Sequence, residues 1–234
     1  MIGKSIANRP YMYLPLKGDT NDYGTGGNNP SNTGVATTTG QFSESNGAYN
    51  WADATDRLSW ASSVGNTIAT KINAGATFYS FGNVVNTGSV MVKDWFSQYN
   101  SVSGQRSFLN AYLNVTSVDD NYFQPGTHGD NNANSSSFNA LNSVNYSTWS
   151  MYCLRYTDEG STLKGEMLTD AVVKGSLTSM VKVKENSTLE LRLGARTNNT
   201  NGNMNSHHTF RFYDVVLSNG ALKILNNEKG RLRA

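Results

Sequence analysis

Short apolar or aromatic stretches recur along this chain about every ten residues, separated by clusters of glycine, asparagine, serine and aspartate. The stretches cover residues 11–16, 41–42, 48–51, 56–60, 67–72, 77–81, 89–95, 108–118, 149–156, 161–169, 189–195 and 209–217. Stretches of this length bounded by turn formers are typical of β-strands, and many strands at this spacing indicate an antiparallel sandwich or barrel. The pattern therefore predicts an all-β fold.

Two segments depart from that rhythm. Residues 119–137 are almost entirely polar, which predicts a long loop between two strands. Residues 219–227 carry Leu222, Ile224 and Leu225 at a spacing that could form one or two apolar helical turns, so this segment is the best helix candidate. The chain shows no internal repeat of 20–50 residues and no linker-like change of composition, which favours a single domain.

The composition excludes several classes of protein. Asn, Ser, Thr and Gly occupy 100 of the 234 positions, which leaves too few helix formers for a long-helix protein. The 4 Trp, 12 Tyr and 9 Phe argue against disorder, and a net charge of +2 is too weak to suggest a nucleic-acid partner. No apolar run approaches the ~18 residues that a membrane span needs. Cys153, the single cysteine, excludes an internal disulfide and is predicted to be buried.

The first strand and its turn carry a dense polar motif. In residues 13–29, YLPLKGDTNDYGTGGNN, Asp19, Asn21 and Asp22 can each bond the backbone two residues further on, which predicts a series of Asx turns. Near the other end, the alternation of residues 189–193 predicts Leu189, Leu191 and Leu193 in the core. The same alternation predicts that Arg192 points outward.

Three segments, in order, resemble one known superfamily. They are residues 13–29, which resemble that superfamily's D-x-N-D-x-x-G-x-x-N turn, the Trp-led hairpin of residues 149–168, and residues 189–225, in which Arg211, Tyr213, Leu217 and Ser218 match an F-R-x-Y-x-x-x-L-S ending. The pattern is similar to the concanavalin-A-like lectin and glucanase superfamily, in its laminin-G-like branch. The resemblance implies an antiparallel jelly-roll β-sandwich whose first and last strands are neighbours. We place this laminin-G-like jelly-roll domain at residues 11–222, between an N-terminal arm (1–10) and a basic C-terminal tail (223–234).

Catalysis is not expected. The superfamily's glycan hydrolases resemble one another in a Glu-x-Asp-x-Glu strand, whose outer carboxylates share one face. None of the six glutamates here has a partner at that spacing; they are Glu44, Glu159, Glu166, Glu185, Glu190 and Glu228. The chain also lacks a Gly-x-Ser-x-Gly elbow, a phosphate-binding glycine loop and a His-Glu-x-x-His motif.

No metal or other cofactor is expected either. Many relatives hold calcium at one rim of the sandwich, and the turn carboxylates of Asp19, Asp22, Asp119, Asp120 and Asp130 are the alternative ligands here. Relatives often carry an acidic residue before the strand of Arg211, whereas this chain has Ser-His-His-Thr at residues 206–209. The adjacent histidines would point to opposite faces of a strand, which argues against a shared zinc ion.

Aromatic side chains in turns are the candidate binding residues. We predict that Trp95, Tyr99, Tyr122, Phe123 and His128 contact a carbohydrate ring or a partner chain. The alternative is that these rings cap the sandwich.

Two functions fit these observations. The first is a non-enzymatic structural or attachment component of a tailed-bacteriophage particle, a capsid or tail decoration that could also bind a cell-surface glycan. Its terminal segments would dock onto other virion proteins or onto copies of itself through Ile2, Ile6, Arg231 and Leu232. Since the N-terminus lacks the apolar segment of a secretory signal, we expect synthesis in the host cytoplasm and location in the virion. The alternative is a freestanding carbohydrate-binding module or lectin.

Overall fold

Two antiparallel sheets and two helices make up the described part of the chain. The computed structural model describes residues 9–52, 55–84, 91–99, 106–114, 122–129, 134–185, 187–194 and 206–227, and gives backbone alone at 91–94, 106, 109–114 and 206–208. The elements are β1 (Met12–Leu14), β2 (Ser31–Thr33), β3 (Ala36–Thr38), β4 (Ala48–Asn50), β5 (Arg57–Trp60), α1 (Ser62–Asn73), β6 (Ala76–Asn83), β7 (Met91–Tyr99), β8 (Arg106–Asn114), β9 (Tyr122–His128), β10 (Ser135–Ser137), β11 (Ala140–Leu141), β12 (Trp149–Asp158), β13 (Leu163–Thr169), β14 (Val172–Met180), β15 (Leu191–Leu193), β16 (Ser206–Tyr213) and α2 (Asn219–Asn227).

The strands form a sandwich of two eight-stranded sheets. The first sheet runs in the order β14-β13-β12-β6-β16-β4-β3, with β1 also beside β16. The second runs β10-β9-β8-β7-β15-β5-β2, with β11 also beside β9. The predicted all-β antiparallel sandwich in one domain is confirmed. The first and last strands are neighbours as expected, with Met12 opposite Phe212.

An aromatic cluster centred on Phe78 of β6 fills the space between the sheets. The Phe78 ring centroid lies 4.7 Å from that of Phe212, 5.3 Å from that of Phe96 and 6.1 Å from that of Tyr156. Phe96 is also 4.8 Å from Phe210, and all five rings are fully buried. Each such pair is worth about 0.5–1.5 kcal/mol beyond the area it buries. Because Phe78 belongs to the first sheet and Phe96 to the second, the cluster joins the two sheets.

The outer face of the first sheet has a core of its own beneath α2. Leu222 and Leu225 of this helix are buried in a cluster that includes Tyr79, Cys153 and Tyr213. Strands such as β12 are therefore covered on both faces, which explains why they read as continuous apolar runs. The helix predicted at residues 219–227 is confirmed, as is the burial of the cysteine. Burial raises the pKa of its thiol to about 12, so the thiol stays protonated at neutral pH.

Residues 67–72 are helical, so their interpretation as a strand is wrong. They belong to α1, where Ile68, Ala69 and Ile72 are buried on one face. Apolar residues at positions i, i+1 and i+4 fit a helix, and a six-residue window is too short to separate that period from a strand's. Neither described helix is long and apolar enough to cross a membrane.

Residues 119–137 contain two strands, which corrects the prediction of one long loop. β9 pairs with β8 along Leu113↔Tyr122 to Phe108↔Thr127, and β10 pairs back onto β9. Pro125 and Gly126 lower the strand propensity of β9, and pairing on both sides overrides that preference. β14 lies outside all the predicted strands because its hydroxyl-rich sequence is exposed along most of its length.

Two of the three predicted Asx turns after β1 form, at Asp19 and at Asp22, which is 8% exposed. The Tyr23 N–H, which a turn at Asn21 would bond, donates to the Tyr13 carbonyl at 2.8 Å instead. Asp22 Oδ1 accepts bonds from the backbone N–H groups of Tyr13 and Gly24, both at 2.8 Å, and Oδ2 accepts one from Asn28 at 2.9 Å. The Asn21 N–H donates to Asp19 Oδ1 at 2.9 Å. Asp22 thus satisfies three backbone donors that β-pairing does not reach.

The predicted packing of the strand that contains β15 is confirmed in part. Leu189, Leu191 and Leu193 are buried in the core as expected. Arg192, which was expected to point outward, is only 7% exposed, and its Nη2 lies 2.9 Å from Glu190 Oε2. The ion pair explains how a charged side chain tolerates this burial.

Replacing Asp22 should destabilise the fold more than replacing Asp19. We expect Asp22→Ala to lower the free energy of unfolding by about 3 kcal/mol, since three partly buried N–H groups lose their acceptor at roughly 1 kcal/mol each. Asp19→Ala, the matched control, should cost less than about 1 kcal/mol because its bonds are exposed. Urea denaturation measures both values, and equal costs would contradict the role assigned to Asp22.

Candidate functional site

A polar cleft of about 750 Å³ opens at one end of the sandwich. Its walls come from four parts of the chain that are distant in sequence: Asn73 at the end of α1, Gly129 and Asn134 at the β9–β10 hairpin, Ser161 and Thr162 in the β12–β13 turn, and residues 181–185 after β14. The volume falls in the range of small-ligand sites, ~300–1,000 Å³. Unlike most such sites, this one is lined mainly by polar groups.

Two asparagines of α1 hold the segment that forms one wall. Asn73 Nδ2 donates to the Val183 carbonyl at 2.9 Å, and the Val183 N–H donates to Asn73 Oδ1 at 2.7 Å. Two turns earlier, Asn66 makes the same pair of bonds with Ser187, at 3.1 and 3.0 Å. Residues seven apart share a helix face, so the two amides replace a neighbouring strand for a segment that has none. The wall is therefore set by α1.

A buried glutamine of the second sheet, Gln98 in β7, bonds both the start of α1 and the chain that follows the wall segment. Gln98 Nε2 donates to the Leu189 carbonyl at 2.9 Å and lies 3.4 Å from the Ser62 carbonyl at the start of α1. Gln98 is fully buried, so these bonds meet much of the cost of placing its amide in the core. Helix, wall segment and second sheet thus form one hydrogen-bonded unit.

The charged groups of the cleft are not equally available. Lys182 Nζ lies 2.5 Å from Asp158 Oδ1 and donates to the Asn73 carbonyl at 2.6 Å. Glu185 Oε1 accepts a bond from Asn73 Nδ2 at 3.1 Å. The Lys182 ammonium and the Gly160 N–H both bond the Asp158 carboxylate, which lowers its pKa below the ordinary value. Among the described residues, the Lys184 ammonium has neither an ion pair nor a hydrogen bond.

Of the predicted binding residues, Tyr99 and His128 come together beside the cleft. Their ring centroids are 5.4 Å apart, and each residue is 9% exposed. His128 precedes the cleft residue Gly129, and its carbonyl accepts the Lys184 N–H at 2.7 Å. Neither ring is among the residues that line the cleft, and both are largely buried.

Trp95 and Phe123 are buried in the core and cannot stack on a ligand there. Trp95 has no exposed surface, Phe123 is 1% exposed, and their centroids are 5.6 Å apart. Between Asp94 and Phe96 the β7–β8 register shifts by one residue. This bulge explains how Trp95 and Phe96, although consecutive, both join the inner core. Tyr122 is half-buried at the start of β9, outside the cleft lining.

The docking-arm candidates Ile2, Ile6, Arg231 and Leu232 lie outside the described residues. The proposed boundary between domain and tail at residues 222 and 223 falls inside α2, whose Leu225 is buried. Residues 223–227, which the sequence analysis placed in the tail, therefore belong to this helix.

The residues that line the cleft do not stand out in the sequence. Asparagine, serine and threonine are too common in this chain for Asn134, Ser161 or Thr162 to stand out. The alternation of residues 181–184, Val-Lys-Val-Lys, was the available signal, since it places two lysines on one side of an extended segment.

The carboxylates of Glu166 and Asp22 are already bonded to other groups of the protein. Glu166 lies 3.0 Å from Arg155 and 3.1 Å from Lys164, in ion pairs on the outer face of the first sheet. The Asp22 carboxylate is occupied by the three backbone N–H groups described above. Within the described ranges, no group of three or more His, Cys, Asp or Glu residues is arranged to hold a metal ion.

The fold is similar to that of botulinum neurotoxin binding domains. The receptor-binding domain of the C/D mosaic serotype matches with a TM-score of 0.69 at 15% identity, over 96% of this chain and 52% of that one. The serotype D ligand-binding domain in complex with N-acetylneuraminic acid matches with a TM-score of 0.63 at 14% identity, over 96% of this chain and 52% of that one. The binding domain of neurotoxin DC in complex with SialylT matches with a TM-score of 0.62 at 10% identity, over 94% of this chain and 51% of that one.

This chain spans about half the length of those solved structures, and the likeness at such low identity establishes the β-sandwich fold alone. The similar structures are described as binding domains, not as enzymes. No family model and no curated protein matches the sequence.

Removing the ammonium of Lys182 should raise the pKa of Asp158. In Lys182→Gln we expect the carboxyl to titrate closer to its ordinary value, with the Gly160 bond still holding it somewhat below. A depressed pKa stabilises the folded state above the ordinary pKa, and that contribution is lost as the pH falls through the lowered value. Carboxyl ¹³C NMR measures the titration. Lys164→Gln is the control that should leave it unchanged, and an unshifted Asp158 in Lys182→Gln would refute the ion pair.

Proposed function

We propose that this chain is a non-catalytic glycan-binding attachment domain and that the polar cleft is its binding site. The observation that carries the proposal is the set of uncommitted polar groups around the cleft. The side chains of Asn134, Ser161 and Thr162, together with the Lys184 ammonium, make no bonds to one another in the described part of the chain. They surround a space of about 750 Å³, enough for one or two sugar rings.

These groups match the chemistry of a sugar. An amide offers two donors and one acceptor, and each hydroxyl offers one donor and two acceptors, which complements a ring whose rim carries hydroxyls. None of the described residues that line the cleft is aromatic, so hydrogen bonds rather than stacking would orient the sugar. Such bonds exchange with water at a net gain of about 1 kcal/mol each, so a single sugar would bind weakly. Useful attachment would then need several copies acting together.

The similar solved structures agree with a binding role. Two of them are complexes, one with N-acetylneuraminic acid and one with SialylT. The cleft here is assembled from groups that can bind a sugar; among the described residues of its lining, Glu185 is the one acidic residue, and its carboxylate is held by Asn73.

We further propose that the domain serves on a bacteriophage particle, as a capsid or tail decoration. The supporting features are the single buried thiol, the Asn, Ser, Thr and Gly-rich sandwich, and the short terminal segments at residues 1–8 and 228–234 of the sequence. Those segments, with Ile2 and Ile6 at one end and Arg231 and Leu232 at the other, would dock onto virion proteins or onto further copies of the chain. A virion component of this kind would be made in the host cytoplasm.

Filling the cleft should abolish glycan binding without unfolding the protein. Ser161 is exposed in the β12–β13 turn, so Ser161→Trp places a large ring at the cleft mouth and leaves the core untouched. We expect at least a tenfold loss of binding on a glycan array and in calorimetry. Ser176→Trp, at an exposed position of β14, is the matched control and should bind normally. Equal binding by both variants would place the site elsewhere.

Removing the terminal segments should block incorporation into the particle and spare glycan binding. Deletion of residues 1–8, or of residues 228–234, keeps β1 and all of α2, so the sandwich stays intact. We expect either deletion to reduce the amount of protein that sediments with purified particles, while glycan affinity stays within twofold. Incorporation that survives both deletions would contradict docking through these segments. Absence of the full-length chain from particles would favour a freestanding carbohydrate-binding module.

A further inference from the structure

The charges along the cleft wall discriminate between neutral and acidic sugars. We propose that the cleft selects glycans bearing an anionic group, a carboxylate or a sulfate, and that the Lys184 ammonium contacts this anion. The inference rests on the proposed glycan-binding function and specifies its substrate class.

Val183 anchors the wall segment between the two lysines. It is 3% exposed, and its N–H and carbonyl are both held by Asn73. Lys182 and Lys184 flank this residue in the chain, and both line the cleft.

Lys182 is already committed. Its ammonium bonds Asp158 Oδ1 at 2.5 Å and the Asn73 carbonyl at 2.6 Å, which neutralises its charge and uses two of its three protons. A ligand anion would have to displace Asp158 to reach it. Lys182 therefore works as part of the wall.

The backbone of Lys184 is held in place, whereas its ammonium has no partner among the described residues. Its N–H donates to the His128 carbonyl at 2.7 Å, which fixes the backbone beneath the side chain. Its ammonium makes no ion pair or hydrogen bond with any other described residue, and the residue is half-buried, so it is partly shielded from bulk water. A hydrogen bond from such a cation to an anion is about twice as strong as a neutral one. The cleft thus offers one available positive charge among neutral amides and hydroxyls.

Glu185 provides an independent check because its charge has the opposite sign. It lines the same cleft and is exposed, with Oε1 held by Asn73 Nδ2 at 3.1 Å. A glutamine there can keep this acceptor while removing the negative charge. If an anion binds beside Lys184, neutralising Glu185 should strengthen binding, whereas a purely structural role for either residue predicts no such opposite effects.

The test compares three probes: 3′-sialyllactose, 3′-sulfolactose and neutral lactose, each titrated by calorimetry into the purified chain at two salt concentrations. We expect one or both acidic probes to bind at least tenfold more tightly than lactose at low salt, with the difference shrinking at high salt. A preference for one acidic probe identifies the anion as carboxylate or sulfate.

Variants of the two cleft residues complete the test. Lys184→Gln should weaken binding of the preferred acidic probe about tenfold, Lys184→Arg should retain most of it, and Glu185→Gln should strengthen it about twofold. Lysine at position 174 is exposed on β14, away from the cleft, so Lys174→Gln is the control and should change nothing. The Lys174→Gln control should leave lactose binding unchanged as well.

The outcomes separate this proposal from the one on which it rests. Binding of lactose and both acidic probes with equal affinity, blocked by Ser161→Trp, would overturn acidic selectivity and leave the glycan-binding function standing. Acidic binding that is unaffected by Lys184→Gln would overturn the role of Lys184. Binding of no probe on this set or on a wider glycan array would overturn both proposals.

Discussion

The contact of Phe78 with Phe96 across the sandwich is the interaction on which the rest of the structure depends. Phe78 lies in β6, which has β12 on one side and β16 on the other, and its ring reaches the second sheet as well. Pairing within a sheet leaves apolar faces exposed, and only packing between sheets removes them from water. The aromatic cluster therefore fixes the spacing of the two sheets.

Helix α1 connects the packed core to the cleft, because it packs against the core on one face and holds the cleft wall on the other. Its apolar face, including Ile68 and Ile72, closes one end of the sandwich, and its polar face presents Asn66 and Asn73 to the chain that returns towards β15. Because these amides satisfy the backbone of a segment that no strand covers, the segment can form an open wall. The cleft is a consequence of how this end of the core is closed.

The resulting site relies on polar groups, and this shapes what it can do. Its aromatic neighbours Tyr99 and His128 are largely buried and do not line it, so the surface offered to a ligand consists of hydroxyls, amides and one available ammonium, that of Lys184. A surface of this kind gains specificity from the placement of donors and acceptors and gains little from area.

The sequence by itself determined the fold class, the Asx turns around Asp22, the buried Cys153 and the helix at residues 219–227, because turn formers and apolar spacing are local properties. Tertiary structure alone decided the rest. A bulge turned Trp95 into the core, pairing on both sides made a strand of β9, and four distant segments met to form the cleft. Each of these depends on contacts between residues far apart in the chain, which no local pattern encodes.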